Sequence, residues 1–177
     1  MVTLETRRKK AKEIRYLLLD VDGVLTNGMI YVNHYGVEML GFSVYDGHGI
    51  KQLQQIGVGV GFLSGRTSAA VAHRAKELGV EEVHFGILDK LHVYEQIRAS
   101  HGLTDAQICY VGDDLLDLPV IKRVGLSVAP ANAITEIKSA AAWVTALRGG
   151  EGAVREVTDF LLAFHVAPSP PTKKKKK

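Results

Sequence analysis

The sequence predicts an α/β domain, a parallel sheet with helices on both faces, and three observations carry that prediction. From Val58 onward, short apolar runs of strand character alternate with amphipathic stretches of helical period, and repeated βα units imply parallel strands joined by helical crossovers. The first apolar run, Tyr16 to Leu19, stops at Asp20-Val21-Asp22-Gly23; polar groups at the C-terminal tips of strands stand where ligands bind in open sheets of this kind. Two alternating runs flank Asn33-His34-Tyr35-Gly36, the pattern of a β-hairpin inserted directly after that acidic tip. The layering is Rossmann-like, but no G-x-G-x-x-G follows the first strand, which disfavours a dinucleotide site.

In chain order, Arg7-Arg8-Lys9-Lys10 with Lys12 and Arg15 forms a basic segment over 1–14, read as a polar helix or arm. No interleaved aromatics or groove-reading motif accompany it, so nucleic acid is not the expected partner. After the hairpin comes Asp46-Gly47-His48-Gly49 and a helix from Ile50 to Gln55. Val58 to Leu63 is a strand, and Ser68 to Leu78 a helix ended by Gly79. Glu82 to Phe85 is a short strand, and a helix spans about Lys90 to Ser100. Ile108 to Val111 is a buried strand, followed by a helix from Leu115 to Val124 that tolerates Pro119 near its first turn. Strands at Leu126 to Ala129 and Ala141 to Val144 flank a helix around Ala133 to Ser139, and a last helix covers about Gly152 to Phe164. The expected organisation is one domain over 15–166 and a Pro/Lys-rich tail over 167–177.

The formal charge of +3 is a property of that tail: without the five lysines 173–177, 17 basic residues face 19 acidic ones. A single cysteine, Cys109, lies inside an apolar run, which excludes a disulfide framework and a cysteine metal site. With no signal peptide and no membrane-length apolar stretch visible, a cytoplasmic protein without a membrane partner is the default expectation.

Three further strand ends carry polar groups. Ser64-Gly65-Arg66-Thr67 enters a helix, where backbone N–H groups and a hydroxyl suit an anion such as phosphate, although Ser64 or Thr67 as a simple helix cap satisfies the same pattern. Lys90 sits in a first helical turn, where the helix dipole favours anions over cations; a nearby anion would account for it. Gly112-Asp113-Asp114-Leu115-Leu116-Asp117 forms a second acidic tip, with Asp117 one turn beyond Asp113. Together with Asp20 and Asp22 these are hard oxygen ligands, suited to Mg²⁺ rather than zinc.

The ordered set D-x-D-G-V, S-G-R, a helix-opening lysine and G-D-D-x-x-D resembles the motifs of the haloacid dehalogenase superfamily over nearly the whole chain. The hairpin, the D-G-x-G-I segment and Gly149 to Val157 resemble its capless branch, which contains 3-deoxy-D-manno-octulosonate 8-phosphate (KDO 8-phosphate) phosphatase. The resemblance implies a Mg²⁺-dependent phosphatase of a sugar-acid phosphate, working in lipopolysaccharide synthesis. Asp20 would be the nucleophile, Asp22 the proton shuttle, and Ser64 and Lys90 the phosphoryl-binding groups. The metal would be held by Asp20, Asp22 through its carbonyl, and Asp113, with Asp114 and Asp117 in support. Substrate contacts would include Ser43, Val44, Tyr45, Asp46, Gly47, Lys51, Gly65, Arg66 and Arg74. Lys51 and Tyr45 stand where relatives often carry arginine, and lysine does not reproduce a bidentate guanidinium contact. The resemblance further implies a homotetramer in which a neighbouring subunit covers each site and the Gly149 to Glu156 segment reaches toward the adjacent site. Two other readings stand beside it, a phosphatase of a nine-carbon sialic-acid-type 9-phosphate and a non-catalytic oligomerising module.

Overall fold

A computed structural model describes residues 1–165, so the tail expected over 167–177 lies outside the described residues. The central sheet contains β1 (Tyr16–Leu19), β4 (Gly59–Leu63), β5 (Glu82–His84), β6 (Ile108–Val111), β7 (Leu126–Ala129) and β8 (Trp143–Val144). Its order is β5-β4-β1-β6-β7-β8, and every pairing is parallel. The chain winds outward from β1 to β5, then crosses back to lay β6 on the other side of β1. The tip of β1 therefore opens at the point where the winding reverses, the binding position of such sheets. The inserted hairpin is a separate antiparallel pair, β2 (Tyr31–Val32) and β3 (Glu38–Met39).

Strands β1, β6 and β7 are buried along their whole length, as continuous apolar runs require when both faces of a sheet are covered. Leu17, Leu19, Cys109 and Val111 point to one face, where α2 (Val44–Gln55), α3 (Ala69–Leu78) and α7 (Ala153–Phe164) supply Ile50, Leu53, Val71, Val154 and Val157. Tyr16, Leu18, Ile108 and Tyr110 point to the other, against Val93, Tyr94 and Ile97 of α4 (Lys90–Ser100) and Val120 of α5 (Leu118–Ile121). A short α6 (Thr135–Ala140) packs at the β7–β8 end. No helix among the described residues is long and apolar enough to cross a membrane.

Two local expectations need correction. The helix expected from Ile50 begins at Val44, capped by the Ser43 hydroxyl, which accepts the Asp46 N–H. Gly47 and Gly49 are helical residues at close contacts rather than loop: an added Cβ would lie 2.3 Å from Nη2 of Arg74 and 2.1 Å from Oγ1 of Thr158. The helix expected over Leu115 to Val124 is a 3₁₀ turn, Leu115–Asp117, followed by the single short α5. Asp117 turns back to accept the Asp113 and Asp114 N–H groups, which tightens that first turn. The basic segment 1–14 forms α1 (Leu4–Glu13), and it is docked: Ala11 and Ile14 join the core ahead of residue 15, and the Arg7 guanidinium lies 5.2 Å from the Trp143 ring centre.

Candidate active site

The parallel topology delivers the tips of β1, β4 and β6 and the start of α4 to one rim. A cleft of about 310 Å³ lies there, lined by Asp20, Asp22, Gly65, Arg66, Lys90, Asp113, Asp114 and Asp117 among others. A larger, open groove of about 860 Å³ sits at the opposite rim, along Arg15, Tyr16, Gly59, Glu82 and His101, away from the carboxylates.

Lys90 organises the cleft. Asp89 caps α4 by accepting the His92 N–H, which puts Lys90 at the first helical position with its side chain buried. Its ammonium sits 2.7 Å from Oδ1 of Asp20 and 2.6 Å from Oδ1 of Asp117. The cation misplaced against the helix dipole is thus matched to two anions. Burial acts to lower its pKa, but the two carboxylates outweigh this and raise it.

Asp117 is completely buried and accepts four donors: Lys90 and the Tyr110 hydroxyl at Oδ1, both at 2.6 Å, and the Asp113 and Asp114 N–H groups at Oδ2, at 2.8 and 3.1 Å. A carboxylate has about four lone-pair sites, so Asp117 is saturated and acts as a brace. Asp20, Asp113 and Asp117 each bring an oxygen within 4.8 Å of the others, which leaves Asp20 and Asp113 as the side chains free to bind a cation. Burial and the neighbouring Asp117 push the Asp20 carboxyl well above its usual range, against the pull of Lys90. Burial and Asp117 likewise push Asp113 up to about 7. Three carboxylates facing one ammonium call for added positive charge, and an all-oxygen donor set fits Mg²⁺.

Asp22 is half-buried, with Oδ1 3.2 Å from Nη1 of Arg66. Burial raises its pKa, and Arg66 opposes the rise. Such a carboxyl is suited to hold and release a proton. Gly23 follows with φ +79°, and a Cβ there would lie 2.0 Å from Oδ2 of Asp113, so only glycine lets the two acidic tips close together. The loop is braced by the Asn132 amide, which donates to the Gly23 carbonyl at 2.9 Å and accepts the Gly149 N–H at 2.7 Å. The Gly150 N–H donates to the Val24 carbonyl at 3.0 Å. Gly149 and Gly150, the first residues of the Gly149 to Glu156 segment, are therefore packed on the loop after β1 of their own chain.

Ser64 directly follows β4 and is buried, its Oγ accepting the Arg66 N–H at 3.1 Å. Ser68, not Ser64 or Thr67, caps α3. Asp114 is exposed and accepts the Leu115 N–H. The remaining expected substrate residues do not line this cleft. Val44 and Tyr45 are exposed and Lys51 faces solvent. The Ser43 carbonyl accepts Nη2 of Arg74 at 3.1 Å, and Arg74 also pairs with Glu77 at 2.8 Å. Asp46 is buried, and its Oδ1 accepts the Arg155 N–H at 2.7 Å, tying α2 to the start of α7; burial pushes this carboxyl up to about 6.

Sequence reading missed Tyr110, Asn132 and Glu38. Tyr110 is hidden in an apolar strand run. Asn132 carried a usable signal, since it follows the tip of another parallel strand. Glu38 lies on the hairpin, yet its carboxylate pairs with Arg66 and accepts the Ser68 hydroxyl at 2.5 Å.

A family model described as haloacid dehalogenase-like hydrolase matches residues 82–156. The chain is 42% identical over 154 residues to 3-deoxy-D-manno-octulosonate 8-phosphate phosphatase KdsC of Yersinia pestis, covering 87% of this chain and 82% of the relative. It is similar, at 35% identity and a TM-score of 0.90, to the crystal structure of the Moraxella catarrhalis phosphatase of the same name in complex with a magnesium ion, a phosphate ion and a KDO molecule; the match covers 92% of this chain and 94% of that one. The cobalt-bound Haemophilus influenzae phosphatase matches at 37% identity and a TM-score of 0.84, covering 88% and 91% of the two chains. With its strand-tip carboxylates, buried lysine and inserted hairpin, the chain belongs to the KDO 8-phosphate phosphatase family of haloacid dehalogenase-like hydrolases.

Proposed function

We propose that this chain hydrolyses KDO 8-phosphate to KDO and phosphate, with Mg²⁺, through an aspartyl-phosphate on Asp20. The observation that carries the reading is the meeting of Asp20, Lys90, Asp22 and Asp113 in one cleft, with Lys90 2.7 Å from the Asp20 carboxylate. In the first step a carboxylate oxygen of Asp20 attacks phosphorus, the bond from phosphorus to the sugar oxygen breaks, and Asp22 gives that oxygen its proton. In the second, water attacks the same phosphorus while Asp22 recovers a proton from it, and the bond to Asp20 breaks to regenerate the carboxylate. Lys90 and Ser64 bind the phosphoryl oxygens, where charge builds in both transition states. Asp20, the Asp22 carbonyl and Asp113 hold the Mg²⁺, which supplies positive charge to offset the carboxylates and the phosphoryl group. Asp117 and Asp114 keep Lys90 and Asp113 in place.

Gly65 and Arg66, which line the cleft, meet the sugar acid, whose carboxylate gives basic side chains an electrostatic use, while the exposed Val44, Tyr45 and Lys51 lie outside it. The working form is a homotetramer in which a neighbour covers the cleft and completes this set. Its support is the hairpin, where Met29, Tyr31, Val32, Tyr35, Val37 and Met39 are all exposed, an apolar concentration that marks interaction surfaces. The enzyme acts in the cytoplasm on a lipopolysaccharide precursor. A panel of KDO 8-phosphate, nine-carbon 9-phosphates of sialic-acid type and simple hexose phosphates, run with and without Mg²⁺, tests the reading. KDO 8-phosphate turns over fastest, and only with the metal; preference for a nine-carbon substrate would replace the assigned substrate, and inactivity throughout would remove the enzymatic reading.

A further inference from the structure

We infer that Glu38, on the inserted hairpin, is a positioning residue for the proton donor, acting through Arg66 to leave one oxygen of Asp22 open to the substrate. The inference rests on the phosphatase reading above and concerns a residue outside its assigned set. Arg66 is held at both ends: Nη2 pairs with Glu38, while Nη1 lies 3.2 Å from Oδ1 of Asp22. Glu38 is itself fixed by the Ser68 hydroxyl, which donates to its other oxygen at 2.5 Å. The relay Ser68–Glu38–Arg66–Asp22 thus joins α3, β3, the β4–α3 turn and the loop after β1.

A guanidinium facing a lone carboxylate frequently closes on it with two parallel N–H donors, taking both oxygens. With Glu38 holding Nη2, Arg66 meets Asp22 through Nη1 alone, and Oδ2 of Asp22 remains available for the oxygen that leaves phosphorus. Glu38 achieves this from an element with little internal support: two residues in each strand, with apolar neighbours Val37 and Met39 exposed on either side. Its inward-facing carboxylate is half-buried between Arg66 and Ser68 while those neighbours face outward. The hairpin therefore serves the chemistry of its own chain as well as presenting an apolar surface.

The test compares Glu38→Ala and Glu38→Gln with the native chain, as kcat/KM on three substrates: KDO 8-phosphate, a hexose 6-phosphate without a carboxylate, and p-nitrophenyl phosphate. This ratio covers events only up to release of the alcohol, so the later hydrolysis of the aspartyl-phosphate does not enter. The two alkyl esters need a proton on the departing oxygen; p-nitrophenolate leaves without one. A displaced proton donor therefore lowers kcat/KM of Glu38→Ala by about tenfold to a hundredfold on both alkyl esters, a partial loss of the roughly 10²–10⁴-fold that general acids contribute, and leaves the aryl ester within about twofold. Glu38→Gln, which keeps one acceptor toward Arg66, falls between native and Glu38→Ala. Loss confined to KDO 8-phosphate would overturn the inference in favour of a role in binding the sugar carboxylate. Equal loss on all three would reduce Glu38 to a structural tie, and no loss would remove its role. Failure of the native chain to hydrolyse KDO 8-phosphate would instead count against the phosphatase reading itself.

Discussion

Replacing Asp117 by asparagine separates the brace from the chemistry, because the change is nearly isosteric and leaves Asp20, Asp22 and Asp113 untouched. Every partner of the native carboxylate is a donor: the Lys90 ammonium and Tyr110 hydroxyl on one oxygen, two backbone N–H groups on the other. Whichever way the amide turns, its NH₂ group faces two donors. Breaking a buried charged pair from one side costs about 3–5 kcal/mol. Lys90 keeps Asp20 at 2.7 Å, so the lower end applies, about 3 kcal/mol. For a domain of this size that lowers Tm by about 6–12 °C, read by circular dichroism on metal-free protein. A Tm within about 2 °C of the native chain would refute the assignment of Asp117 as the saturated brace of the site.

Asp20→Asn removes the proposed nucleophile and one charge of a repelling carboxylate cluster; turnover drops to background, while the metal-free Tm is no lower than native, and a lower Tm would contradict the repulsion argument. Asp113, raised to about 7 by burial and Asp117, binds a proton more tightly folded than unfolded. Its contribution to stability is therefore greatest below about pH 4, the unfolded pKa, and is lost as pH rises to about 7. Protons compete with the metal for this oxygen, so the rise in Tm on adding Mg²⁺ is larger at pH 8 than at pH 5; the opposite order would exclude Asp113 as a ligand. Gly49→Ala forces a Cβ to within 2.1 Å of the buried Thr158 hydroxyl, an overpacking cost of about 1–3 kcal/mol that exceeds the helix-propensity gain of up to about 1 kcal/mol. The urea midpoint falls, and Thr158→Ala in the same chain recovers part of it; an unchanged midpoint would mean that α2 and α7 pack less tightly than described.

Asp20, Asp22, Lys90 and Asp113 were legible from sequence because a parallel sheet sends strand tips and helix starts to one rim, so polar residues at those positions converge without any knowledge of packing. Lys90 was the most telling, since its conflict with the helix dipole named the missing partner as an anion, and Asp20 and Asp117 fill that place. What stayed hidden depended on contacts between distant segments. Tyr110 reads as one more core aromatic until Asp117 is placed beneath its hydroxyl. Gly47 and Gly49 read as loop because nothing local reveals the Arg74 and Thr158 atoms against them. Glu38 reads as an ordinary solvent-facing hairpin residue because Arg66 lies 28 positions away. Asp117 tightens the turn after β6 through backbone contacts that a helical period does not encode.

The most direct test of the central claim is a rapid acid quench of the native chain mixed with Mg²⁺ and KDO 8-phosphate radiolabelled in the phosphoryl group, followed by peptide mapping. Covalent label on the peptide containing Asp20, absent from Asp20→Asn, is the predicted result. Phosphate released at full rate with no label on the protein, or label on a different carboxylate, would contradict it.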